Sequence, residues 1–127
     1  MRTVLAFLCA AALSFAITAK AETAPAVKPA APTAEQVEKI TLTNKIVDGK
    51  KTWLPANVNL KAGVKVELTL VNTLPDPHGF TAPGMATDVV NGNESKTVTF
   101  TAPKEPGTVK FSCQLHPAHV GGNFTVQ

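Results

Sequence analysis

Val64, Val66, Leu68 and Leu70 alternate with Lys65, Glu67 and Thr69. Successive side chains of a strand point to opposite faces, so this run predicts a strand that is dry on one side and wet on the other. The period of two recurs from Val37 to the C-terminus. Ile40, Leu42 and Ile46, with polar Asn44 in the same phase, predict a strand ahead of an Asp48-Gly49-Lys50-Lys51 turn. Trp53 to Leu60 predicts an irregular strand, which Pro55 assigns to an edge or a bulge. Val98 with Phe100, then Val109, Phe111 and Cys113, then Phe124 with Val126 supply three further alternating runs. Lys61-Ala62-Gly63, Asn91-Gly92-Asn93 and Pro103 to Gly107 read as turns between them. No segment holds a helical period over three turns. The expectation for residues 37–127 is an all-β, Greek-key β-sandwich of about six to eight strands.

The rest of the chain is organised differently. Arg2, the apolar run from Val4 to Ile17 and Ala19-Lys20-Ala21 have the charge, length and cleavage pattern of a signal peptide over residues 1–21. Residues 22–36, rich in Ala, Pro, Thr and Glu, read as a flexible linker. The formal net charge of +3 counts Arg2 and Lys20. Without them ten lysines face nine acidic residues, so charge makes no case for nucleic acid. The expected product is a periplasmic domain with no stable membrane insertion after cleavage.

Cleavage would leave Cys113 as the one cysteine of the exported chain, with no intrachain partner in an oxidising compartment. His116 and His119 follow it at +3 and +6, and His78 is the remaining histidine. Thiolate and imidazole are soft-to-borderline ligands that suit copper and zinc. Cys113, His116 and His119 share one loop between two expected strands, and Pro117 biases His116 away from helical geometry. His78 lies in a stretch from Asn72 to Gly84 that breaks the strand pattern with Pro75, Pro77 and Pro83. The expected metal site is therefore His78, Cys113, His116 and His119, with copper first, at one ion per chain, and zinc second. The competing readings are an inert buried thiol at Cys113 and ordinary loop histidines at the other three positions.

Gly79-Phe80, Thr97 to Ala102, Cys113-Gln114-Leu115-His116-Pro117 and Gly122 to Val126 together resemble the cupredoxin family. The likeness covers most of residues 37–127 and is nearest to nitrosocyanin, the red-copper member. It implies a cupredoxin-like sandwich with a mononuclear copper site. Two features depart from the pattern. His78 stands where nitrosocyanin has a carboxylate ligand before its Gly-Phe pair, and His116 and His119 are closer together than its two loop histidines. No methionine follows His116 as it does in blue-copper loops, and Met85 lies on another segment. Either His119 or Met85 completes the set.

Electron transfer with a partner protein is the first functional expectation. Copper tolerance or delivery is the second, weakened by the lack of Met-rich or His-rich tracts. A redox enzyme for nitric oxide or a peroxide, with an open copper position, is the third.

Overall fold

The computed structural model describes residues 35–127, so the expected signal peptide and nearly all of the expected linker lie outside the described residues. Nine strands and no helix make up the described part: β1 Val37–Val47, β2 Lys50–Leu54, β3 Asn57–Leu60, β4 Lys65–Asn72, β5 His78–Ala82, β6 Ala86–Val90, β7 Ser95–Thr101, β8 Gly107–Phe111 and β9 Gly122–Val126. They form a β-sandwich with sheets ordered β2-β1-β4-β7 and β3-β9-β8 and a separate β5-β6 hairpin. The β1–β4 and β3–β9 pairs are parallel and the remaining pairs antiparallel.

β4 behaves as its alternation demands: Val66, Leu68, Leu70 and Asn72 are buried, and the residues between them are half-exposed. β1 follows the same phase only part-way. Leu42 and Asn44 are buried while Ile46 is exposed. Pairing with β4 ends at Asn44 opposite Asn72, and beyond it β1 runs on as a hairpin with β2. Ile46 therefore stands past the end of the core. Trp53, Phe80, Phe111 and Phe124 fill the centre with Leu42, Leu60, Leu68 and Leu70. Their rings meet at tilted and edge-on angles, Phe111 and Phe124 with centroids 4.9 Å apart, the geometry aromatic quadrupoles favour.

The nine strands exceed the expected six to eight, and two of the departures bear on the site. Trp53 to Leu60 is not one irregular strand. The chain bends at Pro55-Ala56 and changes sheets, β2 joining the β1 side and β3 pairing with β9. The stretch expected to be loop as far as Gly84 contains β5, which opens at His78 opposite Val90. Thr81 and Ser112 exchange backbone hydrogen bonds of 2.8 and 2.9 Å. They lace β5 to the segment that leaves β8 for the Cys113 loop.

Candidate metal centre

β5 and the β8–β9 loop each deliver part of the centre. Gly79 sits at the crossing. Its N–H donates to Cys113 Sγ at 3.2 Å and its carbonyl accepts from Trp53 Nε1 at 3.1 Å. A Cβ here would collide with the Gln114 side chain. Gln114 Nε2 in turn donates to the Asp88 carbonyl on β6 at 3.0 Å. The loop is closed by His119 N–H on the His116 carbonyl at 2.9 Å, and Val120 N–H returns it to β2 through the Lys51 carbonyl at 2.8 Å. Cys113 keeps the inward phase of Val109 and Phe111, which brings its sulfur to the end of the core.

Three of the four residues expected at the site, His78, Cys113 and His119, form one close group, and His116 flanks it beside Cys113. Cys113 Sγ lies 3.6 Å from His116 Nδ1 and 4.0 Å from His78 Nδ1. Sulfur and nitrogen bound to one ion at about 2.3 Å and 2.0–2.1 Å, at angles between tetrahedral and trigonal, stand about 3.6–3.8 Å apart. The observed spacings are within a few tenths of an ångström of that range. One ligand atom each of His78, Cys113 and His119 also lie within 4.8 Å of one another. The His78 ring centroid is 4.6 Å from that of His116 and 5.2 Å from that of His119. These spacings fit a single ion held by a thiolate and imidazoles.

Burial sets the protonation. His78, Cys113 and His119 are 0, 5 and 7 % exposed, whereas His116 is half-buried at the rim. Burial is the main force that lowers His78 to about 4, and the charges of Lys51, His116 and His119 push the same way. His119 is also lowered, again mainly by burial. Both rings are therefore neutral at pH 7, the state a metal ligand requires. His78 Nε2 is buried without a hydrogen-bond partner. It is the ring nitrogen other than the one facing Cys113, and such an orphan costs free energy with no return in packing. Met85 packs against the apolar core from the β5–β6 turn.

Three features were not anticipated from the sequence. Asn44 Oδ1 meets His119 Nε2 at 2.8 Å. Trp53 lies 6.0 Å from the His119 ring, tilted by 37°. Gly49, Lys50, Lys51, His116, Ala118 and His119 line a cavity of about 420 Å³ beside the centre. The signal for Asn44 was its polar side chain in the buried phase of β1. Nothing local in the sequence announces the other two.

The sequence matches the family model of the cupredoxin-like domain over residues 6–126. The chain belongs to this family. No curated protein matches the chain. Among solved structures, this cupredoxin resembles the copper nitrite reductase from Nitrosomonas europaea, with a TM-score of 0.61 at 21 % identity, covering 72 % of this chain and 42 % of that one. The chain thus spans less than half the length of the reductase. It also resembles auracyanin A, a "blue" copper protein from Chloroflexus aurantiacus, with a TM-score of 0.59 at 19 % identity, covering 72 % of this chain and 100 % of that one. Reduced auracyanin from Roseiflexus castenholzii gives a TM-score of 0.56 at 21 % identity, covering 70 % of this chain and 96 % of that one. At these identities the likeness speaks for the fold. Among the described residues no helix is long and apolar enough to cross a membrane.

Proposed function

We propose that this cupredoxin is an exported, mononuclear copper protein that passes single electrons between partner proteins. The observation that carries the reading is the buried Cys113 sulfur, 3.6 Å from His116 Nδ1 and 4.0 Å from His78 Nδ1. Soft thiolate with imidazole selects copper or zinc, and the likeness to copper proteins favours copper. Cys113, His78, His116 and His119 would hold the ion. Bound copper would supply a one-electron couple.

The chain's own residues do the rest. His78 and Cys113 are shut away from water, and the Gly79 N–H and the laced Thr81–Ser112 pair hold the sulfur in place. A site fixed by sheet hydrogen bonds rearranges little when charge changes. His116 is the half-buried member, and its loop carries exposed Leu115 and Val120, 45 and 38 % accessible. These residues offer a partner an apolar approach to the imidazole.

His119 takes the place in the loop where a weak thioether would favour Cu(I). A closely bound third imidazole favours tetragonal Cu(II). Copper held by this set would form a perturbed, nitrosocyanin-like centre with a reduction potential below that of blue copper. Voltammetry of wild type and His119→Met tests this. A reversible one-electron wave that moves to higher potential in the variant supports the reading. An unchanged potential counts against His119 as a close ligand.

The cavity beside the centre favours a second reading, redox chemistry on a small molecule. Lys50, Lys51, His116 and His119 line it, which suits a small polar or anionic guest. Azide added to the copper-loaded protein would perturb its spectrum if a position is open and leave it unchanged if the donor set is closed.

A further inference from the structure

Asn44 and Asn72 face each other in the parallel β1–β4 register, 0 and 1 % exposed, inside an otherwise apolar layer. Their contacts are one-directional. Asn72 Nδ2 donates to the carbonyls of Asp76, Val90 and Asn91 at 2.8, 3.2 and 3.0 Å. Asn72 Oδ1 accepts from Leu74 N–H at 3.1 Å. Those four backbone groups leave the amide one orientation, because the reversed one would point oxygen at three carbonyls and NH2 at an N–H. Asn72 Oδ1 then requires a donor from Asn44, whose Nδ2 is 3.3 Å away. The Asn44 oxygen is thereby turned to His119 Nε2 at 2.8 Å.

We infer that Asn44, oriented by Asn72, is a positioning residue that sets the tautomer of His119. An acceptor 2.8 Å from Nε2 requires a proton there. A neutral imidazole carries one proton, so Nδ1 keeps its lone pair. Among the described residues the hydrogen-bond neighbour of Nδ1 is the Val120 carbonyl at 3.1 Å, another acceptor, which cannot satisfy a bare nitrogen. The ring thus has two acceptors and one proton, and the nearer acceptor, Asn44 Oδ1, claims it at Nε2, leaving the lone pair at Nδ1. Removal of the Asn44 oxygen would free the proton to move to Nδ1 and donate to Val120, and His119 would be lost as an Nδ1 donor. The chain of consequence runs from four backbone groups, in the β4–β5 connection and at the end of β6 and just beyond it, through two amides to one ring nitrogen.

This inference rests on the reading of His119 as a metal donor, but its test does not need copper. Long-range 1H–15N correlation spectra of the metal-free protein at pH 8 report which imidazole nitrogen carries hydrogen. The expected result is Nε2–H at His119 in wild type and reversal to Nδ1–H in Asn44→Leu. An Nδ1–H tautomer in wild type, or no reversal in Asn44→Leu, would overturn the proposal. An Nδ1–H wild type would overturn the proposal even if the leucine variant does not fold. Zn(II), a diamagnetic probe, separates the two readings. A shift of His119 Nδ1 on adding zinc supports its role as donor, and an unshifted ring with the Nε2–H tautomer intact contradicts the metal reading alone. Loss of the amide should also weaken zinc binding roughly 10–100-fold, as for other partners that orient a ligating histidine.

Discussion

His78 joins folding to proton concentration. Its folded pKa is lowered from 6.5 to about 4, chiefly by burial. In the unfolded chain the ring takes up a proton below 6.5, and in the folded chain it resists doing so until about 4. Stability of the metal-free protein is therefore complete above 6.5 and falls as the pH drops through this window. At 1.36 kcal/mol per pKa unit the loss from this ring is about 3 kcal/mol by pH 4. His119 is lowered too and adds to it in the same direction. Urea denaturation of metal-free protein between pH 7.5 and 4 reads the effect. His78→Gln should flatten the profile, and an equally steep profile in the variant would assign the loss to other groups. Metal and proton compete for the same imidazoles, so acid should also release the ion.

Elements place these residues, and glycine permits the closest approaches. Gly122 opens β9 under the Ala56 carbonyl and the Phe111 ring, and a Cβ would overlap both. Gly122→Ala must push β9 from β3 or tilt Phe111, next in the chain to the metal loop. The expected cost is about 1–3 kcal/mol, the usual range for overpacking, together with weaker metal retention. Thermal unfolding and a zinc titration measure the two effects. The same elements explain what could be read beforehand. β4, β7, β8 and β9 were legible because a single alternating phase spans each. The Cys113–His119 loop was legible because its spacing is local. β5 and β6 were hidden: Pro75, Pro77, Gly79 and Pro83 outweigh the short apolar signals of Phe80 and Val90. The bend at Pro55-Ala56 was hidden because strand periodicity does not say which sheet a strand joins. Asn44 could be seen as a polar intruder in an apolar phase, but its partner at His119 lies 75 residues away, and only the β1–β4 register with the returning loop brings them together.

At the scale of the molecule, the sandwich supplies a folded scaffold, and a metal bound by the candidate residues would tie its parts. His78 comes from the β5–β6 hairpin, while Cys113, His116 and His119 come from the loop joining β8 to β9. An ion bound to this set favours the folded state over the unfolded one. At a free metal concentration of 100 times Kd the gain is about 2.7 kcal/mol, or roughly 10–20 °C for a domain of this size. Calorimetry with and without metal checks it, and an unmoved transition would mean that the residues do not act as one site. The most direct measurement is a visible absorption and EPR spectrum of the Cu(II)-loaded protein, with Cys113→Ser alongside. A thiolate-to-copper charge-transfer band that disappears in the variant, with copper hyperfine splitting nearer tetragonal than blue, is the predicted result. A wild-type protein without any thiolate band that instead retains zinc tightly would contradict copper electron transfer and leave a structural metal domain.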